Sequence, residues 1–495
     1  MVRSRIFVAM MTLMSVVGGS VTAYGAPEDT TADAVLGQAN FTSNAANQGG
    51  TPDADTMDGN RGLFVDTTGR LWVADTSNNR VLSWPDAASF SNNDPADIVL
   101  GQADFVSNQD NRGNASPDAS TLSGPRGVAV DSDGRVYVAD SGNKRILRYD
   151  PPITSGEAAI QVFGQNGDFT TADQANAMNA NAFNMGNPDG IGVDAAGNVY
   201  LADRFLHRVL VYLDPVGTDT QADIVLGQVD FTNVQRNQND ANPVPAANTF
   251  SNPIDVSVDA DGNVYVADEG NNRVLRFEPP LSDNMNASRV YGQANFAGGN
   301  ANDPSISATT MEGPVGVAID PVSGNLYVAD AINDRVLEFE DPANDSTADR
   351  VFGQGDDFTT GTDNKGGVSA DSLFDVGGVA VDADGNLYAG DRLNSRVLRY
   401  NIIVDNGNNN NNGNANNNNN NNGNSNDNGN SNGNSNDNSN GNTGGNDNMN
   451  GNGDGPGDEM MCGTCGDGTM MMAPLMMIGV GTIRSRTRRR SCRSA

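Results

Sequence analysis

Short apolar runs alternate with turn-forming residues along most of this chain. In the stretch from Gly124 to Tyr149 three runs stand out: Gly127 to Val130, Val136 to Ala139 and Ile146 to Tyr149. Each has the length of a β-strand and is too short for a helix. Asp133-Gly134 separates the first two and reads as a two-residue hairpin turn of type I′, which needs residues that tolerate positive φ. A fourth run precedes a recurring Gly-Gln, as in Ile98-Val99-Leu100 before Gly101-Gln102.

The unit repeats. Its second Asp recurs as Asp75, Asp140, Asp203, Asp268, Asp330 and Asp391. An Arg follows each after a fixed interval, at Arg80, Arg145, Arg208, Arg273, Arg335 and Arg396. Gly-Gln recurs from Gly37-Gln38 to Gly353-Gln354, each followed by a Phe such as Phe41 or Phe105. Four strands at a constant period mark a propeller blade. The sixth repeat runs through Arg396 to Tyr400 and lacks a Gly-Gln strand, whereas Ala34 to Gln38 begins the chain without a partner. The expected fold is therefore all-β: a six-bladed β-propeller over 32–404, closed by its N-terminal strand.

Letter the strands of a blade a to d from the axis outward. Antiparallel order then puts the b–c turns and the d–a connections on one face. Those connections are long, roughly twenty residues against a usual median of about five. Each carries one large apolar residue shortly before the next a strand: Met57, Leu122, Phe183, Phe250, Met311 and Leu373. These are expected to tuck against the sheet and make the crossovers ordered caps.

Outside the repeats the pattern changes. Arg3 and Arg5 precede an apolar run from Ile6 to Val17, and small residues follow to Ala26. Residues 1–25 read as a signal peptide. From 405 to 458 the chain is nearly all Asn, Gly, Ser and Asp and is expected to be a disordered linker. Residues 459–495 contain Cys462-Gly463-Thr464-Cys465-Gly466, an apolar run from Met470 to Ile483, and an Arg cluster from Arg484 to Arg490. The expected location is the cell surface or the extracellular space, with membrane contact only through this C-terminal segment as a transmembrane or transient stop-transfer helix.

Composition narrows the partners. Lys plus Arg total 29 against 62 Asp plus Glu, a net charge of −33. That excludes nucleic acid as the partner of the body. The repeat region has no cysteine, so an exported propeller must hold itself by its core.

Candidate chemistry is sparse. The Asp…Arg pairs recur in every repeat, which points to architecture: each pair is expected to fix its b–c turn by bonding the turn backbone. Asp131-Ser132-Asp133-Gly134 and Asp259-Ala260-Asp261-Gly262 start like calcium loops but lack the later ligands, and hairpin turns explain them. No metal site or cofactor is expected, with calcium in the channel left as an alternative. His207 is the only histidine. It occupies a b–c turn position filled elsewhere by Asn79, Lys144, Asn272, Asp334 and Ser395. These residues, with Phe205 and Leu206, are the candidate binding positions. Phe205-Leu206 breaks the repeat pattern and is expected as an exposed apolar pair.

The pattern Pro-x-Gly-Val-Ala-Val-Asp…Gly-x-Val-Tyr-Val-Ala-Asp…Asn-x-Arg-Val-Leu, clear in Gly124 to Tyr149, Asn252 to Phe277 and Gly313 to Phe339, resembles NHL-repeat β-propellers. The resemblance implies a module that binds proteins or other ligands, and a few relatives are enzymes. The C-terminal segment resembles the tripartite sorting tails of bacterial surface proteins, in a version built on Cys462 and Cys465. That implies recognition by sorting or processing machinery in the membrane. The functional expectation is a surface module binding protein or glycan through the crossover face, with no catalytic residues. The alternatives are a lactonase-like hydrolase or lyase, possibly using calcium, and a structural surface-layer component.

Overall fold

The computed structural model describes residues 30–173, 179–216 and 220–401. The signal peptide, the Asn/Gly linker and the sorting segment with Cys462 and Cys465 lie outside the described residues. Among the described residues no helix is long and apolar enough to cross a membrane.

The strands form six four-stranded sheets, each antiparallel and meandering. The first blade comprises Leu63–Val65, Leu71–Asp75, Arg80–Trp84 and Ile98–Leu100 as strands a to d. The sixth comprises Val376–Val381, Leu387–Asp391 and Arg396–Tyr400, and its d strand is Ala34–Leu36 from the start of the chain. Val35 stands opposite Leu398 and Leu36 opposite Val397. The ring closes as the unpaired strand at each end requires: joining them leaves neither with an open edge.

Burial explains why these sequences make strands. The b and c strands are buried along their whole length, as in Val136–Asp140 and Arg145–Tyr149. Both faces of each sheet pack on neighbouring blades, so the runs are continuous in Val, Leu, Ile and Tyr instead of alternating. The core is accordingly a set of layers between blades. In one layer Tyr137, Ala139 and Phe163 of blade two meet Ile191, Leu201 and Tyr212 of blade three. Aromatic edges recur there: Phe163 meets Tyr212 at 5.3 Å and Phe352 meets Tyr400 at 5.1 Å, both near T-shaped.

One local expectation changes. The a–b turns are not type I′. Gly134 takes φ +79°, but Asp133 does not share the left-handed region, and the Gly134 N–H bonds to Asp131 O. A right-handed turn followed by a left-handed Gly fits three loop residues between Asp131 and Arg135. Asp131 Oδ1 accepts the N–H groups of Asp133 and Arg135, which fixes the turn. A second local feature is that the a strands of blades three to six start at Pro188, Pro253, Pro314 and Val376, each followed by a register shift. Proline is tolerated at a strand's first position beside a bulge.

Ring closure has a measurable consequence. Leu36 and Leu100 are fully buried at equivalent places, one on the closing strand and one within blade one. Leu36→Ala and Leu100→Ala should each cost about 2–4 kcal/mol in urea denaturation. A loss below about 1 kcal/mol for Leu36→Ala alone would mean that the N-terminal strand does not close the ring.

Candidate functional site

The crossover face is held by buried ion pairs. Arg80 Nε meets Asp75 Oδ2 at 2.7 Å, and both side chains are wholly buried. The rest of the guanidinium leaves the turn. Its Nη2 donates to Asp53 O at 3.0 Å and Thr56 O at 2.9 Å, in the crossover before the blade. Its Nη1 donates to Phe105 O, in the crossover after it. Arg145 repeats the set with Asp140, Asp118 O, Thr121 O and Phe169 O. Arg273, Arg335 and Arg396 do the same. The expected bonds to the turn backbone are thus replaced by bonds to crossover carbonyls: each Arg clamps the end of one crossover and the start of the next.

The Asp carboxylates complete the clamp. Asp75 Oδ1 accepts the Asp58 N–H and Asp140 Oδ1 accepts the Ser123 N–H, both in crossovers. Burial raises the Asp75 pKa, while Arg80, the Asp58 N–H and the Asn78 amide oppose that shift. The recurring Gln adds a tie: Gln102 Nε2 donates to Asn79 O and Gln109 O, both at 2.9 Å. The apolar plugs Met57, Leu122, Phe250, Met311 and Leu373 are fully buried, as expected. Phe183 is not: it is 43% exposed and Met185 takes the buried place, against Gly164. Met185 keeps the same spacing to Gly190 that Leu122 keeps to Gly127, a signal that residue size hid.

The candidate binding positions serve mainly as latches between blades. Asn79, Lys144, His207, Asn272, Asp334 and Ser395 all cap a short 3-10 turn in the left-handed conformation, with φ between 50° and 57°. Five of their side chains bond the start of the next blade. Asn79 Oδ1 accepts the Gly124 N–H, Asn272 Oδ1 the Gly313 N–H and Asp334 Oδ1 the Asp375 N–H. Lys144 Nζ donates to Asn187 Oδ1. His207 Nδ1 accepts the Asn252 N–H at 3.0 Å, and burial lowers its pKa, so the imidazole is neutral with its proton on Nε2. It is therefore half-buried, not an exposed loop residue. Ser395 is buried, and its carbonyl accepts from Gln38. Leu206 is buried too, against Ala180 and Val234, because it replaces the Asn that supports the Asp elsewhere. The exposed apolar pair thus reduces to Phe205, 49% exposed. Two other blades expose an apolar side chain at that turn position: Ile332 at 59% and Leu393 at 45%. Aligning the repeats on their Arg would have shown both.

The a strands surround an axial channel of about 390 Å³. Glycines let them approach: a Cβ on Gly62 would lie 2.5 Å from Arg126 O, and one on Gly378 would lie 2.6 Å from Arg61 O. Leu63, Val65, Val128, Ile191, Val256 and Val379 contribute to an apolar wall. At the crossover end the residues preceding the axial Gly differ from blade to blade: Arg61, Arg126, Asp189, Ile254, Val315 and Gly377. Asp255 replaces the Gly itself in blade four. None of these positions repeats, so no period in the sequence marks the ring.

The mouth charges are unequal in their surroundings. Arg126 Nη1 pairs with Asp189 Oδ2 at 2.8 Å, and Arg392 pairs with Asp375 nearby. The Arg61 N–H bonds to Ala74 O, but its guanidinium has no hydrogen-bond or ion-pair partner among the described residues, and burial pulls its pKa down to about 10. Asp255 Oδ2 accepts the Val317 N–H at 3.0 Å. Burial pushes its carboxyl up to about 7, against the N–H groups of Val317 and Val256, and Asp189 adds to the rise. Among the described residues no group of three His, Cys, Asp or Glu could hold a metal ion.

Two segments of the chain match a known repeat family. The NHL repeat model matches residues 122–149 and 250–277. No curated protein sequence matches the chain. Among solved structures, a streptogramin B lyase is similar at 14% identity and TM-score 0.36, covering 70% of this chain and 93% of its own. A virginiamycin B lyase from Staphylococcus aureus is similar at 9% identity and TM-score 0.36, covering 70% and 96%. A Bacteroides thetaiotaomicron protein of unknown function reaches 14% identity and TM-score 0.42, covering 74% and 75%. The chain carries NHL repeats by the match of residues 122–149 and 250–277, and its described strands form six blades.

Removing one clamp should loosen a defined region. Arg145→Met strands the Asp140 carboxylate and should cost about 3–5 kcal/mol, with Asp140→Asn added to it restoring part. Hydrogen exchange should rise first in residues 103–121. Uniform exchange with a loss under about 1 kcal/mol would remove the clamp from the account. Asp255 gives a pH signature. Its folded pKa, about 7, lies above the unfolded value near 3.8, so the folded state holds the extra proton in between. Its contribution is fully present below about pH 4 and is lost as pH rises through 7. Relative to Asp255→Asn, which keeps an acceptor for the Val317 N–H, the wild type should lose about 1–3 kcal/mol across that window, allowing for channel water. A pH-independent difference would show that burial does not set this carboxyl.

Proposed function

We propose that the chain is an exported binding module that docks a protein on the crossover face of its propeller. The observation that carries this is the repeated exposure of Phe205, Ile332 and Leu393 at one turn position, on a face whose backbone is otherwise clamped. Exposed apolar side chains on a rigid frame lose little entropy when covered, and they supply the burial that drives association. Ile and Leu offer no flat ring for a sugar to stack on, so a protein is favoured over a glycan. Export rests on the sequence pattern of Arg3, Arg5 and the apolar run from Ile6 to Val17. Display at the surface rests on the linker and on the segment bearing Cys462 and Cys465.

The hydrolase or lyase alternative has one supporting observation, the near-neutral pKa of Asp255 in a concave site. The surface-layer alternative would use the same apolar positions against a second copy.

The test uses residues 26–404 immobilised against surface proteins from the source cells and against a glycan panel. A captured protein, purified and titrated again, should lose at least about tenfold in affinity with Phe205→Ser/Ile332→Ser/Leu393→Ser combined. Val322→Ser, which removes an apolar residue 58% exposed on the a–b turns, should change nothing. Equal binding by the triple variant, binding of glycans alone, or self-association by sedimentation would each overturn the reading.

A further inference from the structure

We propose that the axial channel is a small-molecule site for an apolar monocarboxylate, held by the Arg61 guanidinium with its hydrocarbon body in the apolar shaft. The charges that Arg61 feels are Asp189, Arg126, Arg392 and Asp375. These four already form two ion pairs, Arg126 with Asp189 and Arg392 with Asp375. Their charges cancel and leave the Arg61 cation uncompensated. It stands half-buried in a chain of net charge −33, at the crossover end of the axial cavity it lines.

A guanidinium in that position presents a planar fork of donors with no acceptor to meet them. A carboxylate matches the fork with two parallel hydrogen bonds and supplies the single missing negative charge. A doubly charged phosphate would leave excess negative charge beside Asp189 and Asp375. Below the mouth the wall offers Val65, Val128, Ile191 and Val256, which favour hydrocarbon. The far end is bordered by Asp66 and Asp382. Two carboxylates there repel a second acid group, so the ligand carries one acid, and its acid faces the crossover end. A cavity near 390 Å³ suits a body of medium length, within the range of about 300–1,000 Å³ usual for small-molecule pockets.

The test is calorimetric titration of the propeller, residues 26–404, with octanoate and with octanamide. The acid should bind at least about tenfold tighter than the amide, since only the acid supplies the charge that Arg61 lacks. Arg61→Met should bring the two within about twofold of each other while leaving the circular dichroism spectrum unchanged. Val193→Phe narrows the shaft from a half-buried lining position and leaves Arg61 in place. It should weaken octanoate by about tenfold or more while leaving butyrate within about twofold. The acid–amide comparison on the wild type and the Val193→Phe series carry the test even if Arg61→Met does not fold. No heat from either ligand up to about 10 mM, or equal affinities for acid and amide, would overturn the proposal. Neither titration involves a protein partner, so the outcome is independent of the docking reading.

Discussion

The buried Asp–Arg clamp is the interaction on which the crossover face depends. A crossover of about twenty residues in polar sequence would ordinarily remain mobile, because it buries too little to offset its ordering entropy. Here every crossover gives carbonyls at its start and its end to a wholly buried guanidinium, and an N–H to the paired carboxylate. Arg suits this role where Lys would not. Its fork reaches the Asp with Nε and two separate backbone stretches with its Nη atoms, all at fixed angles. The cost of burying two charges is met by satisfying nearly all their hydrogen-bonding groups together. The repeated residue is therefore a loop fastener as much as part of a blade.

This arrangement explains what was legible in the sequence. Positions used six times leave a period, and the period revealed the blades, their strand order and the closure of Val35 onto Leu398. The Arg were visible at once, but their partners were not. Backbone carbonyls of Asp53 or Phe105 have no sequence signature, so a clamp between crossovers looked like a pin within a turn. The turn type was missed for a related reason. Asp-Gly is compatible with two hairpin geometries, and the bonds from Asp131 to the loop backbone choose between them. Phe183 is the larger residue, but Met185 keeps the spacing to the axial Gly that the buried position needs. His207 lies in a turn, and its left-handed backbone aims the ring at the next blade, which no sequence pattern marks.

Repetition and function divide the chain between them. The six left-handed turn residues vary in chemistry from Asn to Lys, His, Asp and Ser, which made them look like a recognition surface. Most of them perform one task with different atoms: each bonds the start of the next blade. Variation alone does not mark a functional position when the requirement is only for a polar group of suitable reach. The residues before the axial glycines differ in another way. Arg61, Arg126 and Asp189 are large and charged where Val315 and Gly377 show that a small or neutral residue serves the fold equally well.

The same contrast explains why a half-buried cation can persist at Arg61. Desolvation disfavours a lone charge, and the four charges that act on this one are paired with one another. The scaffold does not need this one, since the corresponding places in blades four to six are uncharged. Its cost is tolerable because the surrounding glycine ring and inter-blade cores are stable without it. A strained or unsatisfied group carried by a frame that does not require it is best accounted for by something the frame holds. The repeats build a rigid ring, and the break in their symmetry at its axis supplies the chemistry.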